Sequence, residues 1–315
     1  MARAIGARAQ MALGFETTYG TQVAINKFWQ MPFASANIGA EQALLTSELL
    51  GFGRDPQIPI KDAIEAIGDL VVPIDARFWG VWLKAAFGEP VSTGTTPRVH
   101  TFQSGGWVLP SMSIEIGMPE VPFYGMTRGA VLNQLSWTMN PRGLITASAG
   151  LMAQTEVPGT VAATGTLQQL VMSRFTAFQG SLLRGGSALG NVVSAQVTYA
   201  NNLDRIEVLR GDGLIDGLDP SRASLTGTID VRFDNQTLLT DAINGAPTEL
   251  QFVYQISASQ LFRLTAHAVY LPRPRIALEG PGGVQASFAW QAARDATVGR
   301  MCTAVLINDV NTYIL

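Results

Sequence analysis

Hydrophobic and polar residues alternate along much of the chain with a period of two, the pattern of a strand with one buried face. The alternation is clearest in residues 131–140, 193–199, 225–233 and 284–290. Strands of this kind are typical of antiparallel sheets in sandwiches and barrels, where one face packs on a core and the other stays polar. The sequence therefore predicts a mainly β fold of packed antiparallel sheets, as a sandwich or a barrel.

Helical periodicity is rare, and it predicts two short helices flanking the sheets. The first begins after a cap at Asp75 and ends at Gly88. The second begins after a cap at Asp234 or Asn235 and ends at Gly245. The tryptophans on the apolar side of helices and strands, expected in the core or in a subunit interface, are Trp79, Trp82, Trp137 and Trp290.

Residues 49–90 and 209–247 carry the same features in the same order, as strand end, glycine-flanked loop, strand, capped helix and Gly-x-Pro stop. The matching pairs are Gly51 with Gly211, Gly53 with Gly213, Gly68 with Gly227, Asp75 with Asp234, Gly88 with Gly245, and Pro90 with Pro247. The series predicts an internal duplication, with one β-domain over residues 1–160 and a second over 161–315. The alternative is two unrelated β-domains that have similar Gly and Pro residues in their loops and at their helix ends.

The composition predicts a subunit of a larger assembly. Hydrophobic residues make up 47% of the chain and charged residues only 14%, against about 25% in a typical soluble domain. A surface so poor in charge is expected to be buried largely against other copies. A membrane protein is the rival interpretation, but the longest apolar stretches are too short to span a bilayer.

The amino end lacks the apolar segment of a signal peptide, so we expect a chain that starts its life in a cytoplasm. Its single cysteine, Cys302, fits that reducing setting. The net charge of −3 and the isoelectric point of 5.5 are not those expected of a protein that binds nucleic acid through its phosphates. They are compatible with a surface that nucleic acid slides past.

The residues that carry enzymatic chemistry form no recognisable constellation. His100 and His267 have no nameable acid or base partner, and Cys302 reads as a small buried residue without zinc-ligand spacing. Residues 211–219 lack the Gly-Lys-Ser/Thr ending of a phosphate loop and the acidic spacing of an EF-hand. Ser187 lacks the glycine pattern of a nucleophile elbow. We expect no catalytic residue, cofactor or metal.

Long collinear stretches resemble a known family. MARAIGARAQMALGFETTYGT, FWQMPFASANIGAEQALLTSELLGFGRDP, LGNVVSAQVTYANNLDRIEVLRGDG and GPGGVQASFAWQAARDATVGRMCTAVLINDV are similar to tail tube (major tail) proteins of long-tailed bacteriophages and prophages. The resemblance covers nearly the whole chain. It implies a structural virion protein with two packed antiparallel sheets and a flanking helix per domain, in stacked rings. Sheets of all positions in a ring would join into one inner β-barrel around a DNA-sized channel.

The family usually has one such domain per chain and six chains per ring, so the duplication favours a ring of three chains with pseudo-sixfold symmetry. The implied partners are further copies of the chain, other tail proteins such as the tape measure and the tail terminator, and viral DNA that passes without sequence-specific binding. The implied location is the virion tail, assembled in the host cytoplasm, with no membrane contact. The implied task is to conduct DNA during ejection.

Two long loops, 50–66 and 210–224, are expected to reach neighbouring subunits or the next ring. The candidate contact residues are Gly51, Arg54, Asp55, Lys61 and Asp62 in the first loop, and Arg210, Asp212, Asp216 and Asp219 in the second. Ordinary solvated loops are the alternative, because most surface charge pairs contribute little. The N-terminal arm 1–25 and the C-terminal tail 294–315 are candidates for ordering on assembly.

Three other functions stay open at this point. The first is the inner tube of a contractile tail or a related injection machine, and the second is a β-sandwich binding module. The third, an enzyme on a β-scaffold, lacks any candidate catalytic group. A bore that repels DNA predicts neutral or acidic side chains along the lumen, and a lysine-rich bore would contradict that interpretation.

Overall fold

A computed structural model of the chain describes residues 3–51, 53–276, 278, 280 and 282–313. Strands account for 50% of the chain and helices for 7%, which confirms the mainly β prediction. The helices are α1 Trp79–Phe87 and α2 Thr237–Asn244. The strands are β1 Gln10–Phe15, β2 Trp29–Gln30, β3 Ser35–Leu45, β4 Ile60–Pro73, β5 Val91–Thr93, β6 Arg98–Gln103, β7 Met112–Met118, β8 Phe123–Met139, β9 Thr146–Ala153, β10 Thr155–Gly159, β11 Gly180–Arg184, β12 Ser187–Ala188, β13 Val192–Ala200, β14 Asp204–Ile206, β15 Gly217–Asp219, β16 Ser224–Arg232, β17 Thr248–Ser257, β18 Gln260–Tyr270, β19 Gln285–Ala293 and β20 Cys302–Asn308.

The alternation seen in the sequence corresponds to strands with one buried face. In β13, Ala195 and Val197 are buried while Gln196 between them is exposed. β8 is longer than its alternating stretch, because its first part pairs with β7 and β10 and its second part with β9 and β13. A register shift between Leu132 and Gln134 lies near the change of partners, and such bulges bend a strand from one sheet into another.

Both predicted helices form, but the N-cap positions are Phe78 and Gln236, and the predicted acidic or amide residues act in the turns that lead into the helices. The carboxylate of Asp75 accepts the N–H groups of Arg77 and Trp79 at 3.2 and 3.1 Å. Asn235 accepts the N–H of Thr237 at 3.1 Å in a turn just before α2, but the N-cap position is Gln236 and its side chain makes no cap bond, so the predicted cap at Asp234 or Asn235 was wrong by one or two residues. α1 is buried along its whole length, whereas α2 buries only Leu238 and Ala242.

The larger strands form a central antiparallel sheet in the order β3-β4-β9-β8-β13-β16-β19-β18. The first four strands come from the first half of the chain and the last four from the second half. The two sets have the same internal order, and the β8–β13 pair joins them. In the part of the chain that the structure describes, this sheet is not closed into a barrel.

The outer strands repeat the same pattern. β7 pairs with β1 and with the first part of β8, and β10 pairs with the other side of that part. In the second half, β17 pairs with β11 and β18, and β20 pairs with the other side of β18. Even the irregularity recurs, since β7 and β17 shift register against their partners after Met112 and Thr248, respectively.

The two halves share one hydrophobic core. Trp79 and Trp137 of the first half meet Phe262 of the second edge-on, with ring centroids 5.6–5.9 Å apart. Aromatic pairs of this geometry are worth about 0.5–1.5 kcal/mol beyond their area. The strand β6 also pairs with β20 across the halves. The division into domains 1–160 and 161–315 stays a prediction.

Candidate functional site

One face of the central sheet is lined almost entirely by small and polar side chains. Its members, which we call the polar face, are Ser35, Asn37, Gly39, Glu41, Glu65, Ile67, Asp69, Val71, Thr146, Ser148, Gly150, Met152, Gln134, Ser136, Thr138, Ser194, Gln196, Thr198, Thr226, Thr228, Asp230, Arg232, Gln285, Ser287, Ala289 and Gln291. The opposite face packs on the core. The polar face carries four carboxylates, one guanidinium and, among these positions, no lysine.

The charges on the polar face are partly compensated. Glu41 lies directly opposite Glu65 on the neighbouring strand, and like charges so placed repel each other. Arg205 pairs with Glu65 at 2.5 Å, while Asp230 accepts a hydrogen bond from the hydroxyl of Ser194 at 2.6 Å. A surface of this composition attracts no phosphate backbone.

The second predicted contact loop is folded onto the first half of the chain. The carbonyl of Gly213 accepts the N–H of Ile64 at 3.0 Å, and the carbonyl of Ile215 accepts from the amide of Gln154 at 3.1 Å. β15 lies inside this predicted loop, and its last residue, Asp219, pairs with Asp204 of β14.

Three of the candidate contact residues form one cluster in that segment. Arg210 donates to Asp212 through two bonds of 3.0 and 2.8 Å, and to Asp216 at 2.8 Å. The guanidinium lowers the pKa of the Asp212 carboxyl to about 2. The cluster is exposed, so its partner in an assembly stays a prediction.

The first predicted loop is shorter than expected, because residues 60–66 belong to β4. Lys61 and Asp62 therefore lie in a strand of a β3–β4 hairpin, where the side chain of Gln42 donates to the Asp62 carbonyl at 2.7 Å. Gly51 has a φ of 95°, a conformation that favours glycine. Arg54 and Asp55 are exposed near the tip of the same hairpin.

Reasoning from charge missed the aliphatic side chains of this hairpin, which we call the apolar arm. Its exposed members are Leu44, Leu45, Leu49, Leu50, Ile58 and Ile60, with Leu50 93% and Ile58 88% accessible. The signal was present in the sequence as aliphatic residues on both sides of a glycine-rich turn. Exposed aliphatic groups concentrated in this way mark a contact surface.

Strands near both ends of the described chain form within a single copy. β1 pairs with β7 and β20 pairs with β18 and β6, so residues 10–15 and 302–308 need no neighbour to form strands. Tyr313 is buried against α1, and its hydroxyl donates to the carbonyl of Arg77 at 2.8 Å. The expectation that these ends order on assembly does not hold for these residues.

The histidines and the cysteine are structural. His100 is fully buried and contacts Ser92 and Asn308 at 2.7 and 3.2 Å, and burial lowers its pKa. The ring of His267 contacts the hydroxyl of Thr303 at 2.8 Å. Burial raises the pKa of Cys302 to about 12, which leaves an inert thiol. Within the described ranges, no three potential ligands are grouped to hold a metal ion.

The sheet with its polar face and exposed apolar arm has the features of a structural β-protein with a surface available for contacts. A family model described as phage tail tube protein matches residues 6–292. The chain therefore belongs to the phage tail tube protein family, and it is a structural component of the virion tail. No curated protein matches the sequence. None of the helices in the described part of the chain is long and apolar enough to cross a bilayer.

Proposed function

We propose that three copies of the chain form a ring with pseudo-sixfold symmetry, and that such rings stack into a tube that conducts DNA during ejection. The observation that carries the proposal is the repeated strand order within one continuous sheet. Three chains with two similar halves each would present six similar positions around an axis, and closed rings are the common end of repeated heterologous contacts. Ring closure would also cover the edge of β3, whose one partner among the described strands is β4.

The polar face would line the bore. Its hydroxyl and amide groups hydrate well, and its few charges are mostly negative, so phosphates gain few ion pairs there. This composition agrees with the neutral or acidic lumen predicted from the sequence. The apolar arm and the Arg210 cluster would supply contacts to neighbouring copies or the next ring. The tape measure and tail terminator would bind the tube.

Electron microscopy of the purified protein tests the ring. Class averages with a central hole, three chains per layer and six similar lobes are expected. Discrete monomers at high concentration, unchanged by time or salt, would overturn the proposal. A six-chain layer would overturn the trimer alone.

The bore assignment has its own test. Thr228 lies on the polar face with its side chain partly exposed, so Thr228→Lys adds a cation there, with Thr228→Gln as the neutral control. Tubes of the lysine variant are expected to retain DNA in a salt-sensitive manner, while wild-type and glutamine tubes do not. Equal DNA retention by all three would contradict the assignment.

A further inference from the structure

Among the described strands, β3 has a free edge at one end of the central sheet. At the other end, the pairing of β18 with β19 stops at Tyr270, and the described residues 271–276 that follow belong to no strand. The N–H of Ala40 points away from β4 and donates to the carboxylate of Glu156 at 3.0 Å. Since backbone groups alternate along a strand, Ile38 also presents its N–H and C=O to the free edge.

Within the chain, the two segments that correspond to these two ends of the sheet, β13 and β8, pair with each other. Gly68 and Gly227 occupy matching positions. Gly68 lies between β3 and Leu151 of β9, and Gly227 lies between β13 and Trp290 of β19. Ile38 opposite Gly68 therefore corresponds to Val197 opposite Gly227. Val197 is not at a free edge, because β13 pairs there with β8, with Val197 opposite Trp137.

The other edge can be matched in the same way. Val131 of β8 lies opposite Met152, and Tyr270 of β18 lies opposite Gln291, which are the residues following Leu151 and Trp290. Residues 271–276 form no strand in the single copy, but a continuation of the β18–β19 register past Tyr270 would place them where β8 lies after Val131. By this count Arg273 corresponds to Gln134 and Ile276 to Trp137, both of which face β13.

We propose that β3 of one copy pairs with residues 273–276 of the next copy in the register that β13 uses against β8, with Ile38 opposite Ile276 and Glu41 opposite Arg273. The proposal rests on the self-assembly proposed above and identifies the segments that meet. The contact between copies then repeats the contact within the chain.

The side chains fit this register. Ile38 and Ile276 are both partly buried against the core, as their counterparts Val197 and Trp137 are buried in it. Arg273 is exposed and would arrive on the polar face beside Glu41, which otherwise faces only the carboxylate of Glu65 across the strand pair. Opposite charges in such cross-strand positions attract.

Proline does not prevent the pairing. Pro274 would lie opposite Ala40, and its carbonyl can accept the Ala40 N–H that Glu156 now accepts. Prolines at the edge of a sheet also keep an unassembled copy from pairing indiscriminately. Glu156 adds to this protection, because its carboxylate covers the Ala40 donor until a strand replaces it.

A disulfide between copies tests the register. Glu41 and Arg273 would form a pair without mutual backbone hydrogen bonds, with Cα atoms about 4.5 Å apart, within the range that a disulfide bridges. Glu41→Cys with Arg273→Cys is expected to give covalently closed rings under mild oxidation. Ala40→Cys with Arg273→Cys is the control, because those side chains would point to opposite faces. Cys302 is fully buried and does not interfere.

A charge swap provides the second test. Glu41→Arg and Arg273→Glu are each expected to raise the critical concentration for assembly at least about tenfold, because each sets like charges opposite. The double variant is expected to restore assembly. A double variant no better than either single one would overturn the pairing, as would rings that cross-link in the control but not in the Glu41/Arg273 pair. Absence of rings in wild type would instead overturn the proposed function.

Discussion

Replacing Gly80 by alanine is expected to destabilise the chain, although alanine is the better helix former. Gly80 lies in α1, where a Cβ atom would come within 2.0 Å of Tyr313 Cζ and 2.4 Å of its hydroxyl oxygen. No real contact is this short, so Tyr313 must leave its place. The ring would lose its contact with His100, and the hydroxyl its bonds to Arg77 and Asn308.

The magnitude follows from two opposing effects. Removing a large buried aromatic side chain costs about 3–5 kcal/mol, and an alanine in place of a helical glycine returns about 1 kcal/mol. Gly80→Ala should therefore lower the free energy of unfolding by about 2–4 kcal/mol. Equilibrium unfolding in urea, followed by tryptophan fluorescence at a concentration where copies stay apart, measures this change.

A double-mutant cycle isolates the cause. In a Tyr313→Ala background the obstacle is gone, so Gly80→Ala should stabilise the chain by about 1 kcal/mol instead of destabilising it. An equal loss of stability in both backgrounds would refute the reasoning, because the alanine would then clash with something other than Tyr313.

Three further predictions concern backbone approach, a buried acid and the sheet edge. Gly68→Ala and Gly227→Ala should each cost about 1–3 kcal/mol in urea unfolding, because a Cβ would lie 1.9 Å from a carbonyl of the adjacent strand; Gly190→Ala, with open space, is the control. Burial raises the pKa of Asp75 from 3.8 to about 6. The protonated side chain therefore makes its full contribution to stability below pH 3.8, and this contribution is lost as the pH rises through 6. The loss amounts to about 3 kcal/mol, and Asp75→Asn should flatten that part of the pH profile of unfolding. Glu156→Ala should shorten the lag of assembly in light scattering, since it uncovers the β3 edge; an unchanged lag would contradict the protective role.

Local patterns predicted the elements of this fold because each element is specified by nearby residues. The alternation in β13 and β19 and the Asp75 and Asn235 turns that lead into α1 and α2 needed no knowledge of distant contacts. The start of β4 was missed because residues 60–63 are exposed on both faces, so no alternation distinguishes them from a loop. Tyr313 over Gly80 was equally out of reach, because the contact joins residues far apart in the sequence.

The candidate contact residues were predicted from charge, and the structure places more of the unsatisfied surface in aliphatic groups. Arg210, Asp212 and Asp216 already satisfy one another within the chain. An exposed pair of this kind contributes little to stability and is screened by salt. The alternating pattern that located the strands carries no information on which exposed residues meet a partner.

The difference between the two halves indicates why one copy alone is incomplete. Leu203 follows β13 and is 9% accessible, because its segment is folded over the first half of the chain; Leu44, at the matching distance along β3, is 61% accessible. Burying a leucine side chain fully is worth about 1.5–3 kcal/mol, and the apolar arm offers six aliphatic residues. Half of the summed burial energy of these six side chains already lies within the range of about 4–15 kcal/mol that association costs in translational and rotational freedom. The arm therefore has enough apolar surface to drive association, while the proposed edge register would decide which copies can join.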